Sequence, residues 1–176
     1  MQVPTILITG PVGVGKTTLM GEMGEALLAA DVPHATVDFD QLRACHPRPA
    51  ADDVWGTKLG LANLAAIWRN YMRAGASRLL IARVIESRDE LSGFEDAVPG
   101  AAITVVRLRA SVETLRSRVH RRGPGSDMQW HLNRAGDLAR LMERSRVEDL
   151  LVETEGREPR ELAAEVLATL GWIKPR

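Results

Sequence analysis

Apolar residues along this chain fall into two alternating kinds of run. Short, nearly continuous runs occupy residues 3–9, 34–38, 78–85, 101–108 and 149–154. Runs of this length, bounded by turn residues, predict strands covered on both faces. Between them, apolar positions recur at helical spacing over 16–30, 59–74, 88–97 and 112–122, from a cap at Ser126 or Asp127 to 146, and from Glu158 or Pro159 to 170. In the second of these, Leu61, Leu64, Ala65, Ile67, Trp68, Tyr71 and Met72 share one broad face, which predicts a buried crossover helix. Pro33 and Gly75 stop the first two helices, and Ser111 is placed to cap the fourth. Residues 42–53 carry Pro47 and Pro49 and predict a loop. The alternation predicts a three-layer α/β fold, with a five-stranded parallel sheet and helices on both faces, in one domain over 1–176.

Composition narrows the partners. The chain has 176 residues, with 23 basic and 23 acidic side chains and 45% hydrophobic content, enough for a sizeable core. Zero net charge argues against broad nucleic-acid or membrane binding. Cys45 is the only cysteine and allows no internal disulfide. No apolar run reaches the ~20 residues that span a bilayer, and the N-terminus lacks a basic-then-apolar leader. The cytoplasm is the expected setting, for a monomer or homodimer.

Between the first strand and first helix stands Gly10-Pro11-Val12-Gly13-Val14-Gly15-Lys16-Thr17, which fits G-x-x-x-x-G-K-[ST]. Strand, glycine loop and helix are the context this phosphate-binding motif needs. Glycines let successive N–H groups turn inward, and the helix N-terminus adds positive potential. Residues Gly10 through Thr17, with Thr18, are therefore the expected nucleotide site. Lys16 would reach the β- and γ-phosphates, and the Thr17 hydroxyl would ligate Mg²⁺.

Two further clusters carry chemistry. Asp38-Phe39-Asp40-Gln41-Leu42-Arg43 follows the second strand, and ligands bind outside the carboxyl ends of such strands. Two aspartates there can divide metal holding from orienting or deprotonating a hydroxyl, with Arg43 to hold an anionic or polar acceptor. They can equally be capping residues of a turn. The other cluster is basic: residues 107–146 hold ten arginines against four acids. Arg118 and Arg122 share a helical face before Gly123-Pro124-Gly125, where they predict a lid over 116–135 that neutralises a transferring phosphoryl group. Solvated helix faces are the plainer account of the same arginines. Cys45-His46 has no second metal pair, so no zinc site is read there. The four tryptophans read as core or pocket wall.

Together these motifs resemble small P-loop kinases of the nucleoside-monophosphate-kinase type. The chain is similar to adenylylsulfate kinases, chloramphenicol phosphotransferases, and shikimate and gluconate kinases. Gly10–Thr17 matches their nucleotide loop. Asp38, Asp40 and Arg43 resemble the D-x-D-x-x-R segment of adenylylsulfate kinases, and Leu115, Arg118 and Arg122 resemble the L-x-x-R-x-x-x-R start of a lid. The resemblance implies ATP as donor, Mg²⁺, and transfer to a hydroxyl of a small molecule. It implies Asp38 near the metal, with Thr17, and Asp40 near the acceptor, with Lys16, Arg118 and Arg122 completing the catalytic set. The chain departs from that pattern at its third strand, where Arg83 stands in place of a metal-directed acid and Glu86 follows. Two other functions fit the same motifs: a nucleotide-binding regulatory module without transfer, and a polynucleotide 5′-kinase.

Overall fold

A computed structural model of the chain describes residues 2–47, 51–121 and 128–174, the side chains of 51 and 128–132 excepted. Five strands form one parallel sheet: β1 (Val3–Thr9), β2 (Ala35–Asp38), β3 (Leu79–Ala82), β4 (Ala101–Arg109) and β5 (Leu150–Glu153). Their order across the sheet is β2-β3-β1-β4-β5, so β1 lies at the centre. The helices are α1 (Lys16–Ala29), α2 (Phe39–Leu42), α3 (Thr57–Arg73), α4 (Leu91–Ala97), α5 (Val112–Arg121), α6 (Met128–Ser145) and α7 (Pro159–Thr169). The five-stranded parallel architecture is as the sequence predicts. The proposed lid loop, Arg122 included, and the caps expected at Ser126 or Asp127 lie outside the described residues.

Side-chain alternation explains why the strands read as unbroken apolar runs. Ile6, Ile8, Leu80, Ala82, Val106 and Leu108 point to one face, under α1 and α7. Leu7, Leu79, Ile81 and Val105 point to the other, under α3 and α4, where Leu64, Trp68 and Phe94 are buried. Both faces are dry, so no polar position interrupts the strand. Each fully buried Leu or Ile contributes about 1.5–3 kcal/mol of transfer free energy.

The third strand is shorter than the expected 78–85. Its pairing ends at Asp38↔Ala82, where β2 ends, and at Ile8↔Ala82, one residue before the end of β1. Arg83 keeps one bond, donating its backbone N–H to Ile8 O at 3.0 Å. Ile85 N–H then turns to Thr9 Oγ1 at 3.1 Å. A β-propensity reading of Val84-Ile85 cannot see that no partner strand remains. The segment after Asp38, expected as a turn, closes into the single-turn helix α2, and a 3₁₀ turn at Ala51–Asp53 interrupts the expected loop. Ser111 caps α5 as predicted, its Oγ accepting Thr114 N–H at 3.2 Å.

Candidate functional site

The loop between β1 and α1 is shaped by glycine. Gly10, Gly13 and Gly15 have φ of 143°, 86° and 104°, values that side chains resist. Gly13 is also pressed against α5: a Cβ there would lie 2.8 Å from Leu115 O. The cradle is thus held from outside by the helix that carries Arg118. Gly15 occupies the cap position of α1 and offers no side-chain acceptor to the first N–H groups. Those donors and the helix dipole favour an anion there. Lys16 folds back over the loop, donating Nζ–H to Gly10 O at 3.0 Å and Pro11 O at 3.1 Å.

Across the end of the sheet, β2 delivers Asp38. One of its oxygens, Oδ1, accepts Asp40 N–H at 3.1 Å and caps α2; the other, Oδ2, accepts the Thr17 hydroxyl at 3.1 Å. The capping reading of this aspartate is therefore realised, and the same side chain also reaches Thr17. Thr17 and Asp38 form a pair of hard oxygen donors beside the phosphate cradle. Mg²⁺ is held by one or two carboxylates and hydroxyls while keeping waters and phosphate ligands. This donor set fits it. Among the described residues no cluster of three or more His, Cys, Asp and Glu exists to build a fuller metal cage.

Asp40 sits one turn on, half exposed, between two guanidinium groups. Arg43 meets its Oδ1 through Nε at 2.9 Å and through a second nitrogen at 2.7 Å. The remaining arm of Arg43 donates to Trp55 O at 2.7 Å. Arg83 approaches the same Oδ1 at 3.5 Å and donates to Thr57 Oγ1 at 3.2 Å. Its guanidinium lies 4.8 Å from the centre of the Phe39 ring. Burial, and then the charge of Arg43, lower the Arg83 pKa from its ordinary value. These groups line a cavity of about 270 Å³ with Glu86, Glu90 and Arg134. Glu90 Oε1 accepts Glu86 N–H at 2.7 Å and Ser87 N–H at 3.3 Å, fixing the chain after β3. Arg134, from α6, pairs with Glu86.

A second cavity, of about 310 Å³, opens on the other side of the loop. Gly13, Gly15, Thr18, Leu108, Thr154 and Pro159 contribute to its walls. Arg118 lies there. It donates to Val14 O at 3.1 Å, to Thr154 Oγ1 at 3.0 Å and to Thr154 O at 3.1 Å. It ties α5 to the phosphate loop and to the end of β5, on the side of the loop away from Asp40.

The sequence reading brought Asp38, Asp40 and Arg43 to the phosphate loop, and the structure assembles them there. Sequence reasoning left Thr57 and Glu90 outside the site, met Arg134 only as a weaker candidate within the expected lid, and met Arg83 and Glu86 only as a departure from a pattern. A charged residue ending a buried apolar strand is the signal that marks Arg83, since strand ends face ligands in such sheets. The arginine-rich stretch has another use as well. Arg107, on β4 and 3% exposed, pairs with Glu143 at 2.9 Å and Glu148 at 2.8 Å. Burial disfavours its charge, but those two carboxylates outweigh burial and raise its pKa. Trp68 is core, whereas Trp55 stands exposed at the lip of the Asp40 cavity.

No protein-family model matches the chain, and no curated protein matches it in sequence. Solved structures match it in fold. A gluconokinase from Sinorhizobium meliloti 1021 superposes with a TM-score of 0.58 at 23% identity, covering 98% of this chain and 94% of that one. The tunicamycin resistance protein of Deinococcus radiodurans gives 0.63 at 21% identity, with 97% and 96% covered. Shikimate kinase from Acinetobacter baumannii, in complex with shikimate, gives 0.59 at 19% identity, with 100% and 97% covered. Among the described residues no helix is long and apolar enough to cross a membrane. Over nearly its whole length, the chain shares the fold of P-loop small-molecule kinases.

Proposed function

We propose that this protein is an ATP- and Mg²⁺-dependent kinase that phosphorylates a hydroxyl group of a small molecule. The observation that carries the reading is the Thr17–Asp38–Asp40 relay. The loop residue expected at the metal is hydrogen-bonded to the carboxylate at the end of β2, which in turn fixes the backbone of a second carboxylate. Fold likeness to a gluconokinase, a sugar kinase and a shikimate kinase supports it.

The β- and γ-phosphates lie in the loop, held by its N–H groups and by Lys16. Thr17 and Asp38 would hold Mg²⁺, which neutralises charge on the phosphates. The base and sugar of ATP would occupy the cavity beside Arg118, with Arg118 positioning the nucleotide; the phosphate role expected of Arg122 falls outside the described residues. The acceptor enters the cavity beside Asp40. Asp40 orients its hydroxyl and receives the proton as the oxygen attacks the γ-phosphorus. A new O–P bond forms, the bond from the γ-phosphorus to the bridging oxygen breaks, and ADP leaves. Stabilising charge and holding reactants in line supply most of the acceleration in such transfers. The acceptor cavity, about 270 Å³, lies at the low end of ligand pockets and fits a compact acceptor.

The test is incubation with Mg²⁺-ATP and a panel of sugars, hydroxy acids and hydroxylated antibiotics, read by mass for a gained phosphoryl group. Asp40→Asn is expected to lower turnover by about 10²–10⁴-fold, the usual worth of a positioned base, with ATP affinity within about twofold. Full transfer by the variant, or loss of ATP binding along with transfer, would refute the role given to Asp40.

A further inference from the structure

The cavity beside Arg118 is rich in hydrogen-bond donors and poor in open acceptors. Among the described residues no Asp, Glu, Asn or Gln side chain lines it. Its polar side chains are Thr18, at the start of α1 beside the phosphate loop, Thr154, Arg118, Arg121 and Arg157. Thr154 is engaged in both directions. Its hydroxyl takes an Arg118 N–H at 3.0 Å and donates to Arg109 O at 3.2 Å. Its carbonyl and that of Val14 each hold a further Arg118 N–H, both at 3.1 Å. A base amino group arriving at either carbonyl competes with a charge-assisted bond. Arg157 is held at 2.5 Å by Glu165, which does not line the cavity. Arg121 differs from the other two. It lies almost one turn beyond Arg118 on α5, is exposed, and has no hydrogen-bond or ion-pair partner among the described residues.

We infer that Arg121 reads the N7 and O6 acceptors of guanine, so that GTP is the preferred phosphoryl donor and ATP the weaker one. The inference rests on the kinase reading and names the donor of that same site. Guanine presents N7 and O6 side by side, an edge that an arginine fork takes through two N–H bonds. Adenine presents N7 beside an amino donor, an edge that suits Asn or Gln, and neither lines this cavity. With adenine, Arg121 faces that amino group donor against donor. Leu108, Pro159 and Leu162 offer apolar wall to the face of either purine, so they hold the base without choosing it. Arg118 fixes the wall through Val14 and Thr154, and Arg121, on the same helix, sets the base preference.

Isothermal titration calorimetry in Mg²⁺ tests this with the β,γ-imido analogues of ATP, GTP and ITP. Hypoxanthine, the base of ITP, keeps N7 and O6 and lacks the 2-amino group of guanine. The GTP and ITP analogues are each expected to bind at least about fivefold tighter than the ATP analogue. Arg121→Met keeps the stem without the fork and should bring the three affinities within about twofold of one another. Arg121→Gln should turn the preference toward the ATP analogue. A merely structural Arg121 would weaken all three alike and leave their ratios unchanged. If Arg121→Met fails to fold, judged by circular dichroism, the wild-type order and Arg121→Gln carry the test. Equal binding of the three, tighter binding of the ATP analogue, a gain for GTP that ITP does not share, or a guanine preference that survives in Arg121→Met or Arg121→Gln overturns the assignment. Turnover with the acceptor panel separates the two readings. Guanine preference without phosphoryl transfer from any donor would refute the kinase and leave Arg121 its role. Transfer from ATP with GTP and ITP bound no tighter would refute that role and leave the kinase.

Discussion

Replacing Gly13 by alanine adds one methyl group, and the surroundings decide what it costs. The backbone there has φ 86°, a region costly for any side chain, worth about 1–3 kcal/mol. The new Cβ would also stand 2.8 Å from Leu115 O and 3.0 Å from Val119 Cγ2. Both belong to α5, and a backbone carbonyl does not move aside alone. Overpacking of this kind costs a further ~1–3 kcal/mol. Gly15 is the matched control. Its φ is 104°, yet nothing lies within 4 Å of an added Cβ. Gly15→Ala therefore carries the backbone cost of about 1–3 kcal/mol without the steric one. Urea denaturation of the two variants without nucleotide should show Gly13→Ala less stable than Gly15→Ala by about 1–3 kcal/mol. The gap in Tm should be about 2–12 °C. ATP binding should weaken in both for different reasons: in Gly13→Ala because α5 carries Arg118 outward, in Gly15→Ala because a methyl enters the phosphate cradle. Equal stability of the two variants would refute the claim that α5 braces the loop.

Two other perturbations report on the supports of the site. A Cβ on Gly60 would meet Phe39 Cζ at 2.6 Å, so Gly60→Ala must displace the ring that underlies Arg83, for about 1–3 kcal/mol in denaturant melts. Phe39→Leu in the same chain should recover part of that loss; strict additivity would show that the two residues do not compete for the space. Arg107 on β4 anchors the end of α6 through Glu143, on that helix, and Glu148, just beyond it, and this anchor predicts an acid sensitivity. Hydrogen bonding to Arg107 lowers the Glu143 pKa, and for Glu148 the same arginine outweighs burial, so both lie below the ordinary 4.5 when folded. Depressed carboxylates stabilise the fold above their unfolded pKa, and that stability is lost as pH falls through the folded values. Thermal melts from pH 7 to pH 3 should therefore fall less steeply for Glu148→Gln than for wild type, and identical slopes would contradict the anchor.

The phosphate loop and the sheet were legible in the sequence because their causes are local or repetitive. A cradle of N–H groups needs only contiguous glycines before a helix, and Gly10–Thr17 carries them in one stretch. Two dry faces leave a strand no place for polar residues, so Leu79–Ala82 and Val3–Thr9 announce themselves. Asp38 and Asp40 were legible because they sit at a strand end, where the fold opens its crevice.

The cavity beside Asp40 was decided only by the tertiary structure. Arg83 meets Asp40 across 43 residues of chain, and Arg134 meets Glu86 across 48. No periodicity or motif links such positions, because what joins them is parallel pairing of β2 with β3 and the packing of α6. The same holds for Arg118, whose spacing to Arg122 marks a helical face but whose partners, Val14 and Thr154, lie in the loop before α1 and just after β5. Sequence by itself determined where the glycine loop turns between β1 and α1 and which aspartates end β2. The fold determined which arginines are engaged at a cavity wall, because that is a property of the assembled neighbours rather than of any one segment.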